Sequence, residues 1–452
     1  MEKRLVLAIA LSLLVMLGWS VMVPKTQPNV NKQFTSSSIH EKQILGSAGS
    51  IKQASPKSAK EILDFHQDSR DIVFDTSVAV IDEVVFKKNN EHRLVLKLGL
   101  HDGGNDLFRK KSVDAHSLSF VAQDENKRIT KTLDFNNSNY CIELHIIIEN
   151  LGKAPIPFHP QLILGIMDLS NKNPQARYQD VLLSSSEKTV HVSAGKEILT
   201  SDIKFVGLRD QYFCGILEPA DPGFSGYVKK LNNQESEVGI LGKEEIIDPG
   251  KQIGHLYRIY LGPQDLKTLN NIKPEWASII HFGMFDFIAQ LLLQLLGFFY
   301  NLVHNWGWAI IILSIAIYFI LFPLTLKQMR SMKEMQLLQP KIEALRKEIK
   351  DPQKLNKEIM ELYREHKVNP LGGCLPLLLQ MPIFFALYQA LIRSVALRGA
   401  HFLWIKDLSA PDGLSLFGHQ VNILPILMAI GMFVQQKISS FKTSGEAAQQ
   451  QK

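Results

Sequence analysis

WGWAIIILSIAIYFILFPL at 306–324 and LGGCLPLLLQMPIFFALYQALI at 371–392 are uncharged, and residues 327–367 between them hold 11 Lys/Arg and 7 Asp/Glu. As helices, both runs are long enough to cross a hydrocarbon core of roughly 30 Å. Basic residues in excess in a short loop mark the cytoplasmic side of a membrane. This stretch therefore predicts a membrane protein with spans at 305–326 and 369–392 and a cytoplasmic hairpin at 327–367.

The hairpin has a pattern of its own. Met335, Leu338, Ile342, Leu345 and Ile349 recur at alternating steps of three and four, as do Leu355, Ile359, Leu362 and His366. That spacing predicts two helices zipped along one seam. Asp351 as cap and Pro352 in the first turn restart the chain, so the pair should be antiparallel, and Pro340 should begin or kink the first helix. Beyond the second span lies an outer loop, 393–420, with Trp404 as an interfacial anchor. The apolar run 421–434 follows, reaching only about 21 Å as a helix. A spanning helix at 421–436 must then draw polar end residues into the bilayer or thin it, and a polar tail, 437–452, ends in the cytoplasm.

On the other side of the spans, residues 274–304 set Asp286, Gln290, Gln294 and Asn301 near one helical face and Phe or Leu over the rest. This predicts an amphipathic helix in the outer interface, with a half-buried helix packed on the spans as the alternative. Within 61–266 the period is two. Leu94, Leu96, Leu98 and Leu100 alternate with Arg93, Val95, Lys97 and Gly99, and Tyr140, Ile142, Leu144, Ile146 and Ile148 alternate with Cys141, Glu143, His145, Ile147 and Glu149. Strands at 72–86 and 255–260 and turns at 101–105 and 219–223 complete the expectation of a large antiparallel β-sandwich outside the cytoplasm. Residues 24–60, rich in Ser, Gln, Lys and Asn, read as a tether. Residues 1–23, a basic start followed by an uncharged run from Leu5 to Val23, read as a retained anchor with a cytoplasmic N-terminus, a cleavable signal peptide being the alternative. Of three cysteines, Cys141, Cys214 and Cys374, all are expected to be small, partly buried thiols, and a Cys141–Cys214 bridge is the alternative.

The fold class expected is thus an anchor helix, a β-sandwich domain and an α-helical membrane core with a cytoplasmic hairpin. A net charge of +6 is modest and sits largely in that hairpin, which argues against nucleic acid as the primary ligand. No nucleophile–base pair, paired carboxylates, phosphate loop or metal-ligand spacing stands out, so no enzyme, cofactor or metal is expected; Gly372-Gly373 reads as a close-packing site. Polar groups inside the spans are more informative: Ser314 and Tyr318 on the first, Gln380 and Gln389 on the second, Asn422 and Gln435 bordering the last. They either glue helices together or line a hydrophilic groove. Pro323, Pro376, Pro382 and Pro425 suggest kinked or cavity-lining helices.

Several runs resemble the YidC family of membrane protein insertases. They include Asn305-Trp306-Gly307-Trp308, Phe322-Pro323-Leu324-Thr325, Leu338-Gln339-Pro340-Lys341-Ile342, and Asn369-Pro370-Leu371-Gly372-Gly373-Cys374-Leu375-Pro376 continuing to Gln380-Met381-Pro382. Leu403-Trp404-Ile405-Lys406-Asp407 and Ile423-Leu424-Pro425 extend the likeness. Val206-Gly207-Leu208-Arg209-Asp210-Gln211-Tyr212-Phe213 resembles a run in the family's large periplasmic domain.

The resemblance implies an inner-membrane protein, with residues 24–304 periplasmic, that inserts and helps fold new membrane proteins, alone or beside the Sec translocon. A groove open to cytoplasm and lipid would receive the client's polar flank, here at Ser314, Tyr318, Gln380 and Gln389. Lys333, Lys341, Lys347 and Lys354 of the hairpin would meet it first. Nascent membrane proteins, the Sec translocon, the ribosome and the lipid bilayer are the implied partners. Two features depart from the family pattern. Tyr318 stands where the family usually has a basic residue, and the family runs on through two more spans after a segment like 447–452, so three of five core spans are expected here. A membrane-anchored periplasmic chaperone or binding domain with an incomplete core is the alternative function.

Overall fold

A computed structural model describes residues 61–87, 91–114, 116–135, 140–170, 176–192, 196–366, 368, 375–416 and 419–449. The expected anchor and tether and the Gly372-Gly373 pair fall outside them.

The β-sandwich is present, and its larger layer is a nine-stranded antiparallel sheet. Its strands run, from one edge to the other, Thr189–Val192, Asp180–Ser185, Ile203–Arg209, Phe213–Pro219, Gln252–Pro263, Cys141–Asn150, Lys127–Asp134, Ser117–Gln123 and Arg109–Val113. In Cys141–Asn150 the residues read as inward, Ile142, Leu144, Ile146 and Ile148, are all buried. The facing layer consists of two four-stranded sheets, one from Ile62 to Gly99 and one from Gln161–Asp168, Glu235–Leu241, Ser225–Lys230 and Ile198–Thr200.

The two smaller sheets meet edge to edge. Leu100 N–H donates to the Ile163 carbonyl at 2.6 Å, and Ile163 N–H to the His101 carbonyl at 2.8 Å. To make this crossing the chain takes positive φ at Lys97, Leu98 and Leu100 (45°, 54° and 65°) and shifts register against Ile81 and Glu83. Such a bulge re-aims side chains. It explains why the period-two pattern fails after Leu96, leaving Leu98 only half-buried.

The centre of the large sheet is apolar on both faces. Phe213–Pro219 is buried at every position. Its inner residues, such as Phe213 and Leu217, join the sandwich core, whereas Cys214 and Ile216 join Leu182, Phe205 and Tyr260 on the outer face. That face is covered by helix α1 (Leu266–Ile272) and a 3-10 segment, Pro274–Ile279, whose Trp276 and Ile279 are buried. The cover is held by Glu218, a buried carboxylate that accepts from Lys273 Nζ with both oxygens at 2.8 Å and from Trp276 Nε1 at 2.8 Å. Cys141 and Cys214 are free thiols on strands either side of Gln252–Pro263, so no bridge joins them.

Three further helices complete this second core: α2 (Asp286–Val303), α3 (Trp306–Glu348) and, past α4 (Pro352–Glu365), α5 (Leu375–Ile392). Ala289, Leu292 and Leu296 of α2, Ala309 and Leu313 of α3, and Ala386 and Ala390 of α5 are buried together with the sheet residues. Alanine at these positions lets helix backbones approach closely. The helix expected over 274–304 is confined to α2, Asp286–Val303, behind the 3-10 segment; α2 packs along one face on both apolar helices, with Phe287, Phe298 and Leu302 exposed on the other.

Of the two outcomes expected at Pro340, a helix start is not seen: Pro323 and Pro340 are interior positions of α3. Pro376 and Pro425 lie in the first turns of α5 and of α6 (Ile423–Gln449), where a missing N–H breaks no helical bond, which leaves Pro323 and Pro382 as interior prolines of the apolar segments. The expected polar tail also continues α6 to Gln449.

Candidate insertion groove

The hairpin forms along the seam that the sequence marks. Leu338 and Ile342 are buried against Val368, with Met335, Ile359, Leu362 and Tyr363 packed around them. Asp351 caps α4 by accepting from Gln353 N–H at 3.0 Å, a contact worth about 0.5–2 kcal/mol. His366 closes the far end: its Nε2 lies 3.0 Å from Lys341 Nζ and its Nδ1 3.0 Å from the Leu362 carbonyl. Both bonds are met when Nδ1 carries the proton and Nε2 accepts from the ammonium. Lys341 is thus partly committed to holding the hairpin, while Lys333, Lys341, Lys347 and Lys354 are all exposed.

The apolar helices show one packed and one open side. On α3 the packed side holds Ala309 and Leu313; Ser314 and Tyr318, one turn apart, lie on the other. Ser314 Oγ donates to the Ile310 carbonyl of its own helix at 2.8 Å, which satisfies the hydroxyl without a partner helix. Tyr318 is exposed and its ring borders those of Phe319 and Phe322. On α5, Gln380 shares the open face with Phe384 and Tyr388. Gln389, nine residues on, is about half a turn away around the helix and sits half-buried beside the packed Ala390. Ser314, Tyr318 and Gln380 are therefore on open faces, and Gln389 is not. Helix α6 presents Leu424, Met428, Met432 and Phe433 exposed, and its start is fixed by Asp412 Oδ2, which accepts from Leu424 N–H at 2.7 Å.

At the end of this bundle nearest the β domain, contacts come partly from runs noted only for their family resemblance and partly from residues such as Arg398 and His401 that the sequence reading did not single out. Asn305 caps α3 by accepting from Trp308 N–H at 3.2 Å and donates Nδ2 to the His401 carbonyl at 3.3 Å. Phe402 occupies the space where a Cβ on Gly307 would stand. The run 206–213 supplies most of the remaining ties. Gln211 Nε2 donates to the carbonyl of Ile392, the last residue of α5, at 2.8 Å. Asp210 Oδ1 accepts from the amides of Tyr212 and Phe213, both at 2.7 Å, and its Oδ2 lies 2.7 Å from His92 Nε2. The guanidinium of Arg398 lies 5.1 Å from the centre of the Tyr212 ring. These residues form the joint between the β domain and the helices. The signal that could have found it was the strand at 213–219, apolar except for Glu218, since a strand buried on both faces needs a cover on each.

Among the described residues no group of three His, Cys, Asp or Glu is placed to hold a metal ion. The arrangement offers instead an apolar, lipid-suited surface with isolated polar groups, sealed at one end by a β domain and carrying a charged hairpin at the other. This defines a membrane protein whose extramembrane β domain and helical core share one continuous packing.

Its relatives are consistent. A family described as "60Kd inner membrane protein" matches residues 298–452, and "YidC periplasmic domain" matches residues 86–295. The membrane protein insertase YidC of Geotalea daltonii is 30% identical over 489 residues, covering 97% of this chain and 90% of that protein. The membrane protein insertase YidC of Syntrophobacter fumaroxidans is 34% identical over 354 residues, covering 74% of this chain and 63% of that protein. A crystal structure of an active YidC insertase with its first transmembrane domain resolved is 20% identical, covers 78% of this chain and 77% of that one, and has a TM-score of 0.33. The chain belongs to the YidC family of membrane protein insertases.

Proposed function

We propose that the chain inserts the hydrophobic segments of new membrane proteins along the open faces of α3, α5 and α6, with Ser314, Tyr318 and Gln380 as the wet side of the path. The observation that carries this reading is the exposure of Tyr318 and Gln380 among large apolar side chains on those faces. A polar flank crossing hydrocarbon loses several kcal/mol for each unsatisfied backbone group, so side-chain hydrogen-bonding partners along the path lower the barrier. No nucleotide or covalent step is needed. Exposed Lys333, Lys347 and Lys354 on the hairpin meet the client first, and Lys341 does so while tied to His366.

In this reading α3 and α5 span an inner membrane, the N-terminus and hairpin are cytoplasmic, and residues 24–304 are periplasmic. The outer-face joint keeps the path closed on the periplasmic side. The Sec translocon and the ribosome are the machinery that would present clients. The test is insertion of a reporter with a short polar flank and one apolar segment into vesicles containing the purified chain. Insertion above that of protein-free vesicles, reduced by the double variant Tyr318→Leu/Gln380→Leu, is expected. Equal insertion with and without protein would refute the proposal.

A further inference from the structure

Where the β domain meets the end of α5, two guanidinium groups with hydrogen-bonding capacity unspent adjoin one short segment, Arg393 beside the Tyr178 ring and Arg209 on Asp180. Arg209 is 4% exposed and donates Nη2 to Asp180 Oδ2 at 2.9 Å, while its Nη1 is buried with no acceptor among the described residues. Arg393 is the first residue after α5; its Nε and Nη1 are likewise buried without an acceptor, and its guanidinium lies 5.8 Å from the centre of the Tyr178 ring. Burial first, and Arg209 second, draw the Arg393 pKa down to about 10.

Charge around the pair is unbalanced. Asp180 is already shared between Arg209 and His191, whose Nδ1 is 3.5 Å away, and the His191 ring stacks on that of His281 at 4.2 Å. The nearby Asp210 carboxylate is occupied by two backbone amides and His92. Gln179 Oε1, a buried acceptor with no donor, could rotate to serve one N–H but would cancel no charge. Buried ionic donors are costly unless an anion meets them, and guanidinium forks match the oxygens of phosphate and carboxylate. The site lies at the outer end of α5, beside the Ile392 carbonyl held by Gln211.

We infer that Arg209 and Arg393 form a phosphate-binding site at the joint, and that a phospholipid headgroup of the outer leaflet fills it. The lipid source rests on the proposed spanning of the membrane by α5; the phosphate chemistry rests only on the two guanidiniums and their unspent donors.

The experiment is native mass spectrometry of the full chain in detergent, first as purified and then after delipidation and titration with short-chain phosphatidylglycerol or with inorganic phosphate. One phospholipid retained per chain is expected, with rebinding of phosphatidylglycerol. Arg393→Gln should weaken rebinding by on the order of tenfold or more, the value of a charge-assisted hydrogen bond. Arg393→Lys should restore part of it, and Lys251→Gln, at an exposed ion pair far along the sequence, should bind as the parent does. Melting of each variant separates lost binding from lost folding. Rebinding of inorganic phosphate alone would overturn the lipid source. Absence of either adduct, or equal binding by a folded Arg393→Gln, would overturn the site. A chain that fails to insert the reporter yet keeps its lipid would sink the proposed function and leave this inference standing.

Discussion

The strand Phe213–Pro219 and residues Tyr318, Phe319 and Ile320 of α3 are similarly apolar and have opposite fates. Every residue of the strand is buried, whereas the three helix residues are 58%, 68% and 71% exposed. In the β domain the chain supplies its own solvent: sandwich core on one face, Trp276, Ile279 and the helices on the other. Along α3, α5 and α6 the chain leaves the covering to its surroundings. A soluble protein rarely exposes so continuous an apolar surface, so lipid or a client segment is the natural covering there. A largely apolar sequence is therefore covered by the chain itself in one region and left to other molecules in the other.

The covered strand is tested most sharply at Glu218, which ties the sheet to its covering segment. Glu218→Ala would leave the buried Trp276 Nε1 without its acceptor, while Lys273, a third exposed, keeps Glu275 at 3.6 Å. Leaving a buried donor unsatisfied costs about 1–3 kcal/mol. Denaturant unfolding of the detergent-solubilised chain, followed by tryptophan fluorescence, should show that loss, with Glu218→Gln losing less. A change below about 1 kcal/mol in both would mean that Glu218 does not hold the cover to the sheet.

A second break lies at Gly207, where a Cβ would stand 2.5 Å from Ile279 Cδ1 and 3.6 Å from Leu182 Cβ. Ile279 is fully buried and has little room to give. Gly207→Ala should cost about 1–3 kcal/mol through overpacking and should loosen the 3-10 segment before the sandwich itself. Hydrogen exchange over residues 274–280 compared with 142–148 distinguishes the two: equal acceleration in both would contradict a local effect.

Much of this division was legible in the sequence because it is periodic. The hairpin seam at Leu338, Ile342, Ile359 and Leu362 and the inward set Ile142 to Ile148 follow from spacing alone. The failures have physical causes. Leu98 departs from its alternation because positive φ at Lys97 and Leu98 turns the chain toward another sheet. Pro340 does not begin the first hairpin helix because the residues ahead of it are already helical. Of the candidate groove residues, Ser314, Tyr318 and Gln380 are exposed, whereas Gln389, half a turn from Gln380, is half-buried. The joint could not be read from spacing because its parts, Gln211, Asn305, Ile392 and Arg398, are far apart in the chain and carry no common period.

Acid offers a graded way to loosen the same joint. Burial first, then His191, hold the His281 pKa below its ordinary imidazole value. The unfolded chain then binds more protons than the folded one in that range, so stability rises with pH. The contribution is fully present above the ordinary value of about 6.5 and is lost as pH falls through the lower folded value. Unfolding measured between pH 7.5 and 5 should show the decline, and His281→Asn should flatten it. An unchanged slope would assign the acid sensitivity elsewhere.

The smallest expected effect on stability is the most informative about function. Tyr318 is exposed, its ring borders those of Phe319 and Phe322, and it stands on the open side of α3. Its removal leaves no cavity, so Tyr318→Ala should change unfolding by no more than about 0.5 kcal/mol. Its phenol offers a hydrogen bond but no positive charge near neutral pH. If the open face is the client path, Tyr318→Arg adds an attraction for acidic flanks that the parent lacks. Insertion of a reporter with an acidic flank should then rise relative to one with a neutral flank, and high salt should shrink the gain, since exposed charges are screened. An identical response of both reporters would place the path on a face away from Tyr318, and the apolar exposure of α3 would then serve lipid alone.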